Sequence, residues 1–513
     1  MNIGSFGKPN RKNILLTLLL LLFVGALFFM LFILGIPVPE GLTILKILGL
    51  PFNLISLFGF SLTSIILLFV LTIFWLYIIS CILILLKSKV LAIKWNAKKL
   101  AILVIIVIAG VVIYSFFIFG WSDIFIPTAD DSGATVKGVA DAVKANNQFS
   151  INLYSEINKG NNDNIFFSPW SISTAMAMAY EGAREDTADE IQSVFHFPED
   201  VNERRSSFAK VLNTINKGSG KYELHTANAI WLQRDYPFLG EYKNVISRYY
   251  LGEINSLDFV KNPVDSSQQI NSWVAGHTNN KINKIVSPEM FNELTRAVLT
   301  NAIYFKGKWE HQFDREETKP EDFTLDSGEK IKVPMMRLTD EDLDFNYIES
   351  DDVQILEMRY QGEKISMLVL LPRNGISHLE SILTEEKLEE WRSKLQPETV
   401  YIYIPKYTSE TSYSLTDYLK SMGMSLPFTW PVADFSGMDG TKMLYISDVL
   451  HKAYIDVYEE GTEAAAATTI IMTVGAALPR YKEFRADHPF IFIIQERETG
   501  NILFLGKVMN PTK

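Results

Sequence analysis

Side chains that could carry out covalent or metal chemistry are few in this chain, and their spacing matches no catalytic motif. The 513 residues include one cysteine, Cys81, and seven histidines. A single thiol cannot form a CxxC pair or a thiolate metal site, and the histidines show no metal-ligand spacing. The motifs GxSxG, HExxH, GxxxxGK[ST] and GxGxxG are all missing. The sequence therefore predicts no catalytic residues, no metal site, no cofactor and no enzyme activity.

The residue types that do stand out are small and uncharged, and they lie between residues 459 and 480. This stretch reads EEGTEAAAATTIIMTVGAALPR and carries charge only at its two ends. The four alanines at 464–467 suit a helix, whereas residues 468–474 are largely β-branched and apolar, as in a strand. An exposed Ala-rich helix end would explain the alanines but not the run that follows them. The stretch must therefore meet some other requirement.

The elements around this stretch run from helices to strands. Helical periodicity or start signals occur at 139–157, 168–183 and 187–197. Strand-like runs occur at 223–232, 297–309, 364–372, 400–407 and 451–458, and a hairpin that turns near Thr499 and Gly500 ends the chain. Segregated helices and antiparallel strands predict an α+β domain over residues 139–513. Residues 122–138, rich in Pro, Gly, Asp and Ser, predict a linker.

Three long uncharged runs precede the linker, at about residues 14–36, 60–86 and 100–121. Each is long enough to cross the ~30 Å hydrocarbon core of a bilayer. The apolar part of a cleaved signal peptide is shorter, about 7–15 residues, and buried core helices rarely come three in a row at this length. Residues 1–121 are therefore predicted to form an α-helical region with three membrane spans.

Basic residues around the spans predict their orientation. Lys8, Arg11 and Lys12 precede the first span, and five lysines lie between Lys87 and Lys99, whereas the loop between the first two spans holds one. Basic loops stay in the cytoplasm. The protein is thus predicted to be a multi-pass protein of the cell membrane, with a cytoplasmic amino terminus and an extracellular carboxy-terminal domain.

Charge excludes two other classes of function. Residues 1–120 carry nine Lys or Arg and one Glu, a net charge of about +8. Because the whole chain has a net charge of −11, the remaining residues carry about −19. An acidic domain of this kind is not expected to bind nucleic acid. The spans contain no Asp, Glu, Lys, Arg or His, so a channel or transporter would lack an obvious ion path, and anchoring in the lipid bilayer is the simpler interpretation.

Five segments of the outer domain carry a family resemblance. They are NIFFSPWSISTAMAMAYEGA (164–183), TNAIYFKGKWEHQF (300–313), VLHKAYIDVYEEGTEAAAA (449–467), FRADHPFIFII (484–494) and ILFLGKVMNP (502–511). In content, order and spacing they closely resemble the serpin family across about residues 139–513. The resemblance implies a large central antiparallel-rich sheet, further sheets, surrounding helices and an exposed reactive-centre loop. The membrane region lies outside the resemblance.

The resemblance implies that the stretch at 459–480 is the hinge and the reactive-centre loop of a serine protease inhibitor. A target protease cleaves such a loop, forms an acyl-enzyme and is trapped covalently when the cut loop inserts as a new strand in the main sheet. Side chains alternate along a strand, so an inward Thr462 leaves Glu463 in water and turns every second later residue inward. A charge at an inward position would be buried unpaired. The hinge residues are Glu459, Glu460, Gly461, Thr462, Glu463, Ala464, Ala465, Ala466, Ala467 and Thr468.

Other family positions carry over by matching motif. Ser168, Ser171, Asn301 and His451 match the shutter, a polar cluster beneath the strands that must part, and Trp309 matches the breach, where insertion starts. Glu459 matches an acidic residue that pairs with a basic one on the neighbouring strand in many members. Thr416 is predicted at the partner's position here, which puts that ion pair in doubt.

Counting along the loop places the scissile bond at Gly475–Ala476, within about one to three residues. The neighbouring residues are small and apolar, which favours elastase-like or subtilisin-like proteases, while Leu478 leaves a chymotrypsin-like cut open. A non-inhibitory carrier, chaperone or membrane-associated structural protein on the same fold is the alternative function.

Overall fold

The structure, a computed structural model, describes residues 128–216, 222–462 and 481–513. Contacts divide the chain into residues Met1–Ser115 and Phe116–Lys513, and the described residues all belong to the second unit. Within the described ranges, no helix combines the length and the apolar character that a membrane crossing requires. The three runs predicted as spans lie outside these ranges, so they remain a prediction.

Helices dominate the first part of the described chain. Their bounds are α1 Val136–Asn158, α2 Pro169–Gly182, α3 Glu185–Phe195, α4 Val201–Asn216, α5 Gly240–Val245, α6 Pro263–His277, α7 Ile376–Ile382, α8 Glu385–Lys394, α9 Thr416–Ser421 and α10 Ser436–Asp439, with a π-helical turn at Ile246–Tyr250 after α5. Helix α1 begins three residues earlier than predicted, inside the predicted linker, because Thr135 caps it by accepting from the N–H of Gly138. Helix α2 begins as its sequence indicates, with Ser168 as the cap and proline in the first turn.

The strands form two sheets among the described residues. Their bounds are β1 Ile165–Phe167, β2 Tyr222–Gln233, β3 Glu253–Leu257, β4 Ala297–Lys308, β5 Lys319–Thr324, β6 Lys330–Leu338, β7 Asp344–Glu349, β8 Val353–Arg359, β9 Ile365–Pro372, β10 Gln396–Pro405, β11 Tyr407–Ser414, β12 Ile446–Tyr458, β13 Gly461–Thr462, β14 Lys482–Arg485, β15 Phe490–Glu496 and β16 Ile502–Val508. One sheet has the order β11-β12-β13-β4-β2-β3; the other has the order β1-β16-β15-β9-β8-β7-β10-β6-β5, with β14 on β10. The predicted α+β class is confirmed.

The central feature of the first sheet is a parallel pair of strands that separates at one end. Strands β12 and β4 pair directly from Ile446 and Ala297 up to Tyr454 and Tyr304. Beyond that point the short strand β13 lies between them and is antiparallel to both. Helix α2 packs beneath this sheet, and its shutter serines are fully buried there. The sheet therefore already contains the start of an extra strand.

Candidate functional site

Strand β13 is the point where the hinge enters the sheet. Thr462 pairs with Val457 of β12 on one side and with Gly307 of β4 on the other, and Gly461 pairs with Tyr458 and Lys308. Gly461 has φ +141°, and a Cβ there would lie 2.1 Å from the carbonyl oxygen of Gly307. Only glycine fits both the conformation and the space. The hinge backbone is thus fixed between two strands.

The turn that leads into β13 is held by two buried carboxylates. Glu459 accepts from Nζ of Lys406 at 2.9 Å and from Oγ1 of Thr318 at 2.8 Å. Burial alone would raise the pKa of Glu459, but these bonds outweigh it and lower that pKa. Glu460 lies 2.6 Å from Nη2 of Arg315. Glu459 therefore remains charged although it is buried, and both acidic residues are paired with a basic side chain at the end of the sheet.

The partner of Glu459 differs from the prediction. Thr416 does not lie opposite it; its hydroxyl donates to Asp448 at 2.8 Å instead. The basic partner is Lys406, the single residue between β10 and β11. The doubt about the ion pair was therefore wrong, because the predicted strand at 400–407 is two strands that belong to different sheets, and Lys406 marks the crossing between them.

Trp309 joins the end of β4 to the hinge turn. Its indole N–H donates to the carbonyl of Tyr458 at 3.0 Å, and its backbone N–H donates to the carbonyl of Glu460 at 2.9 Å. The ring is 1% exposed and stacks on Tyr360 at 4.4 Å between centroids. The residue matched to the breach therefore contacts the turn through both its side chain and its backbone.

The four residues matched to the shutter meet in one buried network. The backbone N–H of Ser168 donates to Nε2 of His451 at 3.0 Å, and Nδ1 of His451 bonds Oδ1 of Asn301. The amide N–H groups of Asn301 donate to Oγ of Ser171 and to Oδ1 of Asn228. Four of the five side chains have no exposed surface, and Asn228 is 7% exposed. Such a network holds β4, β12 and α2 together only while each polar group keeps its partner.

His451 is uncharged in this network. Because Ser168 N–H points at Nε2, that nitrogen must be an acceptor, which leaves the proton on Nδ1, where it donates to Asn301. Burial lowers the pKa of His451 to about 3. A second proton would set an N–H of His451 against the N–H of Ser168 in a fully buried site.

Asn228 is the member that motif matching did not assign. It lies directly across from Asn301 in the β2–β4 pair. A signal was available in the sequence, because Asn228 shares its face of β2 with Ile230 and Leu232, both fully buried. A polar residue that shares an inward row with buried apolar residues needs a buried partner.

Comparisons with known proteins agree with this geometry. The model of the family described as Serpin (serine protease inhibitor) matches residues 144–511. The chain belongs to the serpin family. A serpin-like protein of Thermococcus kodakarensis is 45% identical, with 72% of this chain and 85% of the relative covered. The leukocyte elastase inhibitor of Xenopus tropicalis is 39% identical, with 71% of this chain and 97% of the relative covered. The crystal structure of Serpin48, described as a highly specific serpin of Tenebrio molitor, is 34% identical with a TM-score of 0.64, covering 73% of this chain and 98% of that one.

Much of the segment matched to the reactive-centre loop lies outside the described residues. This holds for Glu463, for the alanines at 464–467, for Thr468, and for Gly475 and Ala476 at the predicted scissile bond. The site that the structure describes therefore comprises the turn before β13, the gap between β12 and β4 that holds β13, and the buried polar network. Within the described residues, no group of three or more His, Cys, Asp or Glu side chains could hold a metal ion.

Proposed function

We propose that this serpin inhibits serine endopeptidases as a suicide substrate: the protease cuts its loop near Gly475, and the loop inserts into the sheet before the acyl-enzyme is released. The observation that carries the proposal is the position of β13. Its two residues already pair on both sides, with β12 and with β4. A cut loop would thus extend a strand that has already begun, and no new strand would have to nucleate.

The pairing of β13 fixes a register for the rest of the strand. Each step of two residues along the loop moves two residues back along β12 and two back along β4. On this register position 468 comes between His451 and Asn301. Insertion would therefore separate these two side chains and require the hydroxyl of Thr468 to replace a partner that each loses. The hydrogen bonds of the shutter would therefore break only when the inserting strand reaches position 468.

The same register supports small and apolar residues at alternate loop positions. Thr462 pairs with Val457 of β12, and on the same register positions 464 and 466 would pair with Ile455 and Ala453. The side chains of Val457, Ile455 and Ala453 are all buried. In-register neighbours in a sheet share a face. Inserted residues on that face are Thr462, Ala464, Ala466, Thr468, Ile470, Met472 and Val474. None of these side chains carries a charge that would oppose burial.

The proposed targets are elastase-like or subtilisin-like proteases. Around Gly475 and Ala476 the loop offers only small or apolar residues, and the next basic residue is Arg480. A trypsin-like pocket would find no cation to pair, whereas a small apolar pocket would accept these side chains. One similar protein is named as an inhibitor of leukocyte elastase.

The proposed location is the outer face of the cell membrane, with anchoring by three spans in residues 1–121. The support is the length of the uncharged runs and the basic residues that flank them. The serpin domain would then act on proteases that approach the cell.

Mixing the full chain with elastase, subtilisin, chymotrypsin and trypsin in turn tests the proposal. Elastase or subtilisin should give a covalent complex that survives SDS, with a new chain end near residue 475. Cleavage of the loop by all four proteases without any such complex would contradict inhibition and favour the non-inhibitory carrier, chaperone or structural alternative.

A further inference from the structure

The segment before α1 is bound to the surface of the domain along its length. Ala129 is 4% exposed, although it lies in a segment of linker composition. Its N–H donates to Oδ1 of Asn213 at 2.9 Å, and the amide of Asn213 donates back to the carbonyl of Ala129 at 2.9 Å. A side chain that satisfies both backbone groups of one residue acts as a strand partner would.

The next residue is held from the opposite side. The N–H of Asp130 donates to the carbonyl of Arg248 at 2.8 Å. The guanidinium of Arg248 bonds the carboxylate of Asp130 through two nitrogens, with Nε at 2.8 Å. Asn213 belongs to α4 and Arg248 to the π-helical turn, so Ala129 and Asp130 lie in the groove between these two elements.

The contacts continue down one face of α4. Asp131 lies 3.3 Å from Nζ of Lys210, and Oγ1 of Thr135 donates to Glu203 at 2.8 Å. Between them, a Cβ on Gly133 would lie 2.7 Å from Oγ of Ser206. The α4 residues involved are Asn213, Lys210, Ser206 and Glu203, and their spacing of three and four puts them on one helix face.

Another face of α4 packs against the interior of the domain. Arg204 and Arg205 both turn to the carboxylate of Glu181, which is itself buried. One set of polar side chains on α4 therefore forms a buried ion cluster with Glu181, and another set contacts residues 129–135. Small residues at Ala129 and Gly133 allow that chain to lie close to the helix.

We propose that residues 129–135, here called the strap, are a docking segment whose partner is the α4 groove of the same chain, and that the strap fixes the place where the membrane tether leaves the domain. This inference rests on the proposed membrane anchoring for its purpose, but not for the docking itself. A free linker over 122–138 would comprise 17 residues, whereas the strap leaves seven, 122–128, after the predicted third span. Seven residues reach at most about 25 Å, against about 60 Å for 17. Docking thus restricts how far the domain can swing from its anchor.

Hydrogen exchange on the full chain in lipid vesicles tests the strap. In the wild-type protein the amides of Ala129 and Asp130 should exchange at least about tenfold more slowly than they would in an open chain. Asn213→Ala should remove the protection of Ala129, and Arg248→Gln should weaken that of Asp130. Thr214→Ala is the matched control, because this neighbour on α4 bonds only the carbonyl of Lys210 in its own helix. Fast exchange at both amides in the wild-type protein, or equal protection in all four proteins, would overturn the proposal.

Protease trapping by the same preparations separates this inference from the proposed function. Asn213 and Arg248 touch neither the hinge turn nor the shutter network, so their variants should still form the SDS-stable complex. Lost protection with intact trapping supports the strap as a docking device. Rotation of the domain on the vesicles, followed by fluorescence anisotropy decay, should be less restricted in the Arg248→Gln variant than in the Thr214→Ala control, and equal restriction would contradict the role in tethering.

Discussion

At the scale of single residues, His451 makes the stability of the sheet depend on pH. It bonds β4 through Asn301 and α2 through Ser168, and both bonds need the neutral ring. Its pKa is about 3 in the folded chain, because burial disfavours the charged form, against an ordinary value of 6.5. His451 thus binds a proton below about pH 6.5 in the unfolded chain, but only below about pH 3 in the folded chain.

Stability should therefore fall on acidification through His451. The contribution is fully present above about pH 6.5 and is lost at up to about 1.4 kcal/mol per pH unit between pH 6.5 and pH 3. Denaturant midpoints at about pH 7.5 and about pH 5, for wild type and His451→Gln, measure it. The comparison with the variant is needed because Asp487 and the carbonyl of Pro372 outweigh burial and raise the pKa of His488, which acts in the opposite direction. An equal pH dependence in the two proteins would contradict the assignment.

The family resemblance located most of the candidate site. Ser168, Ser171, Asn301 and His451 were matched from sequence and are brought together by the fold. Asn228 and Lys406 were not, for a physical reason: each acquires its partner only through strand pairing or through a crossing between sheets. A register has to be known before such contacts can be assigned.

At the scale of elements, β13 already pairs with both β12 and β4, so insertion of the loop would extend an existing strand. Strands β2 and β4 were predicted to within one residue at each end, whereas β12 begins at Ile446, five residues before its predicted start at His451. The two-residue strand β13 could not be predicted, since its pairing depends on the separation of β4 from β12 and on the absence of a Cβ at Gly461. The division of 400–407 into β10 and β11 was missed for a similar reason: both halves have strand composition, and only tertiary packing assigns them to different sheets.

A charge at the first inward loop position should stop extension without stopping cleavage. Thr462→Arg would have to bury an unpaired guanidinium beside Val457, which costs on the order of several kcal/mol. The expected result is a substrate: the rate of loop cleavage is unchanged, but the covalent complex falls by about tenfold or more. Glu463→Arg is the matched control, since alternation turns position 463 to solvent and trapping should persist. Undiminished trapping by Thr462→Arg would show that the alternation argument is wrong.

At the scale of the whole molecule, an acidic serpin domain follows a basic amino-terminal region that contains three long uncharged runs. Protease added outside intact cells should cut the loop near Gly475 and leave the segment between Lys87 and Lys99 untouched, because the basic loop is predicted to be cytoplasmic. Peptide mapping of the cell-associated protein makes the measurement. Cleavage between Lys87 and Lys99 with a protected domain would reverse the orientation.

The central claim is that cleavage near Gly475 converts a loop into a strand between β12 and β4. An active fold that withholds a strand from its sheet is kinetically trapped, and the cut form should be the more stable one. The inserted segment would bury Ile470, Met472 and Val474, at ~1.5–3 kcal/mol each, and gain backbone bonds at ~1 kcal/mol each, before the entropy of ordering is subtracted. Thermal unfolding of the full chain in detergent, before and after a single cut on the same preparation, is the most direct measurement. The cleaved protein should unfold at a markedly higher temperature than the intact one, and equal unfolding temperatures would mean that the loop does not insert.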